Sequence, residues 1–545
     1  MAGRGVVAVA CWLMLTPIPA ALARPGDLDR SFSKDGKLLL GRSGPADVDV
    51  QADGRTVVLR RYAESLAVTR LTSSGRLDQS FGAAGVARID FGPDGDAGAQ
   101  LIPDGDGAYL VVGSRGFRGE LAVARLDAQG ELDTSFGTRG VVIHPLALPA
   151  EIVDAARAPG GAVVIVARLY DGAGFEWAVA RITSDGTLDR SFSDDGQMTL
   201  ELGANAQGYA AAVDESGRIV TSGVVYLEPN YSSAQFTVAR LLEDGGFDPS
   251  FGGGDGAMVP TYVHGSEGAG LAPTSDGGVL IAGFADVGDF AVERLSQSGE
   301  TVSSFGDEGI ARARFPGNYA GGRWVGVDAK GRILAAGVAA IDSMDVSVAR
   351  FSTAGQPDPS FGLHGGVATP FGPETRFSDE FAVAADFAPH NRLTVVGGFE
   401  PEYATAVARY RLGGRGRRDR DADGVRDRRD SCPSLYEERR PGCPRYDSTV
   451  SIDYTGRKFR GRVRPEYQLC SEYPDRFVRV YRARPGADRL VGRTEIQYPT
   501  FWEVNALNRR GRFYAVAERI LDSSYGICSP AKSQPLTVSQ GGASR

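Results

Sequence analysis

Between residues 419 and 430 the chain places aspartates at near-alternate positions: Asp419, Asp421, Asp423, Asp427 and Asp430, with Gly424 and Val425 between them. Hard carboxylate oxygens at that spacing wrap a hard cation. Asp419, Asp421 and Asp423 fall at loop positions 1, 3 and 5, Gly424 makes the turn at 6, the Val425 carbonyl faces inward at 7, and Asp427 and Asp430 fall at 9 and 12. The expected ligand set for calcium is therefore Asp419, Asp421, Asp423, Val425, Asp427 and Asp430. Asp430 stands where a longer glutamate is usual, so its grip on the ion is shorter. Interleaved arginines (Arg415, Arg417, Arg418, Arg420, Arg426, Arg428 and Arg429) oppose cation binding, and the plain alternative is a charged linker.

A second polar pattern recurs. Arginine precedes aspartate by eight residues at Arg70/Asp78, Arg125/Asp133, Arg181/Asp189, Arg240/Asp248 and Arg350/Asp358, while Arg294 meets Val302 instead. A catalytic group is needed once, whereas a pair in nearly every unit reads as a structural clamp. The four histidines, His144, His264, His364 and His390, have no metal-ligand spacing and are expected in loops. No nucleophile elbow, zinc-protease motif or phosphate loop is present, so no catalytic or cofactor-binding residue is assigned.

These residues sit on a repeat. Ser-Phe recurs at Phe32, Phe81, Phe136, Phe192, Phe251, Phe305 and Phe361, and an apolar-x-Val-x-Arg signature ends at Arg70, Arg125, Arg181, Arg240, Arg294, Arg350 and Arg409. Each unit carries four short segments of strand character between glycine turns, such as 97–102, 108–113, 121–126 and 141–144. Four strands per unit, repeated seven times, predict an all-β chain with a seven-bladed β-propeller over residues 24–412. The array opens in mid-unit and closes without a Ser-Phe turn. Residues 37–40 are therefore expected to pair with 406–410 and complete the last blade, which places Asp29 against Arg409. The small-residue stretches 97–99, 155–156, 210–212 and 268–270 suit innermost strands. The repeated Phe and Val are expected between blades.

The motif Gly75-Arg76-Leu77-Asp78-Gln79-Ser80-Phe81-Gly82, with Ala-Val-Ala-Arg-Leu upstream in other units, resembles the bacterial delta-60 repeat family of secreted propeller-like proteins. The resemblance spans roughly residues 25–412 and implies a fold and a compartment, with no agreed activity. Ser33 and Ser193 replace its glycine and Val302 its aspartate. The Asp419–Pro433 stretch resembles the thrombospondin type 3 calcium repeat, which implies a calcium-rigidified extracellular connector over 413–446.

The remaining chain supplies compartment and attachment. Residues 1–23 combine Arg4, an apolar run and Ala21-Leu22-Ala23, a secretory signal peptide; a lipoprotein signal at Cys11 fits less well because Cys11 lies inside that run. Without Cys11, four cysteines remain, and two disulfides, Cys432–Cys443 and Cys470–Cys528, are expected among three possible pairings. Residues 447–540 read as a small β-sandwich, with an Ig-like or prealbumin-like resemblance that rests on no diagnostic motif. Residues 413–545 hold 27 Lys/Arg against 17 Asp/Glu, net +10, so residues 1–412 carry net −18 of the total −8.

The expected function is an exported, non-enzymatic binding or adhesion scaffold for an extracellular protein or polysaccharide. It is expected to be secreted or surface-associated, not membrane-spanning, without nucleic acid as partner, and monomeric. The competing reading is a secreted propeller hydrolase or lyase acting on polysaccharide, with acidic residues gathered at one mouth of the channel.

Overall fold

The structure is a computed structural model that describes residues 25–413 and 445–544, apart from short segments within them, the longest being 227–233, 372–379 and 466–476. The expected signal peptide, the calcium ligands Asp419 to Asp430, and Cys432, Cys443 and Cys470 lie outside the described residues.

The described residues of 25–413 fold into seven antiparallel sheets, six of four strands and one of five. In the first, Gly44–Val50 pairs with Thr56–Arg61, then Leu66–Leu71, then Val86–Ile89. The second repeats this order with Asp96–Pro103, Tyr109–Arg115, Glu120–Leu126 and Val141–His144. The third, fourth, fifth and sixth sheets begin at Ala150–Arg157, Asn205–Val213, Gly270–Pro273 and Tyr319–Val327, and in the fifth Val263–His264 also pairs with Val279–Ala285. In the seventh, Glu380–Ala388, Arg392–Phe399 and Ala404–Arg411 are joined by Lys37–Arg42 from the start of the array. Lys37 pairs with Ala408, Leu38 with Val407 and Leu39 with Ala406, so the outer edge of this sheet is closed by chain from the other end.

Middle strands read as continuous apolar runs because both of their faces are covered. In Ile219–Tyr226 every residue but the last is buried, including Thr221 and Ser222. Among the described residues, seven hydrophobic clusters are each shared by two successive sheets. Val68 and Phe81 of the first sheet pack with Leu101 and Tyr109 of the second, and Val348 and Phe361 of the sixth with Leu393 and Tyr410 of the seventh. The last cluster joins Phe32, Val396 and Val407 of the seventh sheet to Val48 and Val58 of the first. The repeated Phe and Val thus lie between sheets, as their recurrence predicts. The first strands of successive sheets also lie against one another in a closed cycle, with Gly44–Val50 touching both Asp96–Pro103 and Glu380–Ala388.

The Gly-x-Leu-Asp turn shows why the repeat keeps glycine. Gly130 has φ +80°, and a Cβ there would meet the Phe81 ring of the preceding sheet at 2.8 Å. A side chain is excluded by backbone conformation and by the neighbouring ring together.

Residues 445–544 form a second group of sheets. Phe477–Arg482, Arg489–Glu495, Gly511–Ala517, Ala531–Lys532, Leu536–Ser539 and Gly542–Ser544 make one; Ser448–Val450, Asp453–Tyr454, Lys458–Pro465 and Phe501–Asn505 make another. One cluster holds residues of both: Val450, Phe459 and Trp502 from the second, Val478, Phe513 and Leu536 from the first. Among the described residues no helix is long and apolar enough to cross a membrane.

Candidate functional site

Two polar systems are built on this frame, one on the turns and one on the innermost strands. The turn system begins at the last residues of each third strand, where the arginine signature ends. Arg70 Nε lies 2.8 Å from Asp78 Oδ2, Arg70 Nη2 donates to Ser80 Oγ at 3.2 Å, and Asp78 Oδ1 accepts from the Ser80 amide and hydroxyl at 3.1 and 2.7 Å. The guanidinium lies over the Phe81 ring, 4.5 Å from its centroid. Its remaining nitrogen, Nη1, donates at 2.6 Å to the carbonyl of Ala128 in the next sheet. Four residues of one motif therefore make a single unit, and the arginine carries it across to the neighbour.

Arg181, Arg240, Arg350 and Arg409 repeat the arrangement, reaching the carbonyls of Glu243, Gly277, Leu412 and Ser73. Arg240 and Asp248 are the most enclosed pair, 2.8 Å apart with side-chain exposures of 1% and 4%. Burial by itself would raise the carboxyl pKa values, but the Ser and Arg contacts outweigh it, and Asp78 is brought down to about 2.

Two copies depart from the arrangement and a third, that of Arg409, adds to it. Arg125 divides itself between Asp104 at 3.0 Å and Asp133 at 3.5 Å. Arg294, which faces Val302, turns instead to Asp276 at 2.5 Å. Beside it, Glu293 is fully buried where the other sheets carry Thr69, Ala124, Ala180, Ala239, Ala349 and Ala408. It accepts from Thr301 Oγ1 at 2.7 Å and from the amides of Thr261 and Val263 at 3.2 and 3.0 Å, tying down the turn that the missing aspartate would have held. The third variant is the seam, where Asp29 takes Arg409 at 3.2 Å and also Arg392 at 2.8 Å.

The axial system has no counterpart in the repeat pattern. Each first strand except that of the fifth sheet contains a register shift near its middle, which re-aims the side chains that follow. Just beyond these bulges, at the same level in the first, second and third sheets, stand Asp47, Gln100 and Asp154, opposite Leu59, Val112 and Val166. Asp386 of the seventh sheet stands two residues further along its strand, opposite Thr394. All are partly exposed.

Each of these aspartates spans two sheets. Asp386 Oδ2 accepts the Val50 amide at 2.7 Å, Asp47 Oδ2 the Leu101 amide at 2.9 Å, and Asp154 Oδ2 the Ala211 amide at 2.7 Å. The Oδ1 atoms accept from the following residues Phe387, Val48 and Ala155 at 2.7, 2.7 and 2.9 Å. Gln100 fills the gap between the second and third sheets by donating to the Val153 carbonyl at 3.3 Å. In the fourth, fifth, sixth and seventh sheets the same level holds Ala210, Gly270, Trp324 and Ala384. One side of the axis is thus latched by polar groups and the other filled by small and aromatic ones.

Burial pushes the Asp47 carboxyl up to about 8, and the charges of Asp154 and Asp386 add to it; burial likewise raises Asp154 and Asp386 to about 7. Carboxyls in this range suit general acids. Yet both oxygens of each already face backbone amides, an arrangement suited to holding strands in place. Among the described residues no group of three or more His, Cys, Asp or Glu is placed to hold a metal ion.

Sequence reasoning located the turn clamps and missed the axial aspartates. It also expected all four histidines in loops, whereas His144 and His264 end strands and His144 Nε2 lies 2.6 Å from the Gly186 carbonyl.

A family model described as "Domain of unknown function (DUF5122) beta-propeller" matches residues 105–136 and 162–192, within the second and third sheets. Comparison with curated proteins gave no match. Among solved structures, Drosophila Semaphorin 2a is similar at 10% identity and TM-score 0.42, covering 94% of this chain and 99% of that one. A protein of unknown function from Dyadobacter fermentans is similar at 12% identity and TM-score 0.35, covering 69% and 99%. The polysaccharide lyase Uly1 is similar at 9% identity and TM-score 0.40, covering 72% and 97%. Likeness at these scores carries no argument about activity. The family match and the cycle of four-stranded sheets make this a β-propeller protein.

Proposed function

We propose that this chain is an exported, non-enzymatic binding scaffold whose seven sheets are the blades of one closed ring. In this reading residues 1–23 direct export and are removed. Residues 413–446 form a connector stiffened by calcium on Asp419, Asp421, Asp423, Val425, Asp427 and Asp430, with Cys432–Cys443 bridged. Residues 447–540 form a β-sandwich closed by Cys470–Cys528. The propeller presents a face to an extracellular protein or polysaccharide, while connector and sandwich set its distance from the cell envelope.

One observation carries the non-enzymatic reading. Asp47, Asp154 and Asp386 on the innermost strands, where a propeller enzyme would gather its acids, are each engaged at both oxygens by backbone amides, one of them from the next sheet, and Asp49 beside them takes the Tyr109 hydroxyl. A second reading, a secreted hydrolase or lyase acting on polysaccharide, draws support from the raised carboxyls of Asp47, Asp154 and Asp386. An array of glycans and cell-wall polymers, scored for both retention and cleavage, separates the two. Retention of intact polymer supports the scaffold, and cleavage lost on Asp47→Asn overturns it.

A further inference from the structure

Arg60 stands where every other sheet has glycine or alanine. At the same level of the second to seventh sheets are Gly113, Ala167, Gly223, Gly283, Gly337 and Gly397. Val57 and Leu59 on its strand pack towards the second sheet, so Arg60, like Val58, faces the seventh. The residue is 5% exposed. Its Nε donates to Thr69 Oγ1 at 3.0 Å, and its Nη1 to the Leu40 carbonyl at 2.6 Å and to Ser43 Oγ at 3.2 Å. Each acceptor is neutral, and Nη2 has no acceptor among the described residues.

A second cation joins it. Ala67 lies opposite Arg60 on one side and Arg88 on the other, so the two arginines flank one alanine on the same face of the first sheet. Both gather at Tyr62, with Cζ of Arg60 5.4 Å and Cζ of Arg88 5.2 Å from the ring centroid. Arg88 is exposed. Among the described residues no carboxylate lies within ion-pair distance of either guanidinium. Asp90, two residues beyond Arg88, accepts the Gly92 amide at 2.9 Å instead. Burial pushes the Arg60 guanidinium down and the Arg88 charge pushes it the same way, with Tyr62 opposing. Residues 1–412 carry net −18 (33 minus 51), so the want of a counter-charge is local.

We propose that Arg60 and Arg88 bind a tetrahedral oxyanion, a sulfate or phosphate group, at the seam of the first and seventh sheets. Buried charge is ordinarily paired, and a doubly charged oxyanion matches the two cations where a single carboxylate would leave one unmet. Guanidinium donors suit its oxygens, and Nη2 of Arg60 is free to give them. Holding the Leu40 carbonyl occupies Nη1 and gives Arg88 no part. The free ion and a sulfate or phosphate borne on a polymer share this chemistry, and the site stands apart from the scaffold reading.

The test titrates the full chain calorimetrically with inorganic sulfate and inorganic phosphate, chloride holding the ionic strength constant. Binding should saturate, and Arg88→Gln should weaken it at least about tenfold. Arg60→Gly, which installs the residue most other sheets carry, should weaken it as much. Arg76→Gln, an exposed arginine elsewhere on the first sheet, should leave it unchanged. Sulfate should also raise the melting temperature of the unaltered chain above that in chloride, an increment that Arg88→Gln removes. Arg88 is exposed and touches only the Tyr62 ring, so its variant decides the question even where Arg60→Gly melts early. Equal affinity in the unaltered and Arg88→Gln chains, or no saturable binding of either ion, overturns the proposal. Dextran sulfate, with neutral dextran as control, separates the sources. Arg88-dependent binding tighter than that of inorganic sulfate supports a polymer-borne group, and binding of the inorganic ions alone supports the free ion. Cleavage of an arrayed polymer would sink the scaffold reading and leave these outcomes as they stand.

Discussion

Arg409 reaches Asp29 at 3.2 Å although 380 residues separate them. Asp29 also accepts from Arg392 Nε at 2.8 Å and from Ser31 Oγ at 2.8 Å, and Arg411 stands 3.7 Å away. Burial alone would raise the Asp29 carboxyl, but the bonds from Arg392 and Ser31 and the two arginine charges keep it below the ordinary range. The seam of the ring therefore concentrates more cations on one carboxylate than any other described clamp.

That concentration predicts an unequal mutational response. Asp29→Asn should cost about 3–5 kcal/mol, since it leaves buried arginine charge without a partner. Arg294→Ala should cost within about 1 kcal/mol, because the side chain of its partner Asp276 is 60% exposed. Urea unfolding of the two variants checks the contrast, and equal losses would mean the seam is no more critical than any other turn.

Glu293 offers a second contrast. Alanine is the residue most of the other sheets carry there, so Glu293→Ala removes no packing the frame requires, yet it strands the Thr261 and Val263 amides. A loss of about 1–3 kcal/mol is expected. Adding Val302→Asp to that variant should recover part of it by giving Arg294 the carboxylate it lacks, as read from the same unfolding curves.

The two polar systems also predict opposite responses to pH. Asp47, Asp154 and Asp386 have folded-state values of about 8, 7 and 7, above the ordinary 3.8, so the folded chain holds protons there that the unfolded chain has released. Stability from these groups is complete below the unfolded value and is lost as pH rises towards 7–8. The clamp aspartates act in the reverse sense. Asp78, held at about 2, contributes stability that is present above the unfolded value of 3.8 and lost as pH falls through the folded one. Thermal unfolding should therefore show greater stability near pH 5 than near pH 8, a difference that Asp47→Asn reduces. Stability rising steadily from pH 5 to pH 8 would contradict the raised carboxyls.

Calcium gives a fourth expectation. Titration of the full chain should show binding in the range of about 10⁻⁴–10⁻³ M, with protection of the 413–446 segment from proteolysis. Asp421→Ala combined with Asp423→Ala should abolish both. Neither heat nor protection in the unaltered chain would leave that segment a charged linker.

The sequence carried whatever the chain repeats. Recurrence of Arg and Asp at a spacing of eight residues announced a clamp, and the half-unit at Phe32 announced its closing partner at Arg409. What recurrence hides is a residue used in some units and not others. Asp47 and Asp154 share a level with Gln100, Ala210 and Trp324, so no column of aspartates appears in the sequence, and Asp386 is displaced by two positions along its strand. Their role depends on the bulge that turns them and on an amide in the next sheet, and neither is written in local spacing. The same holds for the arginine contacts to the neighbouring sheet, which end on carbonyls up to 336 residues distant in the chain.

In the proposed scaffold the axial carboxylates hold strands and do no chemistry. The most direct measurement is the chain length of a polysaccharide retained by the protein, followed over time with the unaltered chain and with Asp47→Asn/Asp154→Asn/Asp386→Asn. Undiminished chain length is expected with both proteins, and retention by both. Shortening of the polymer by the unaltered chain, abolished in the triple variant while retention persists, would contradict it.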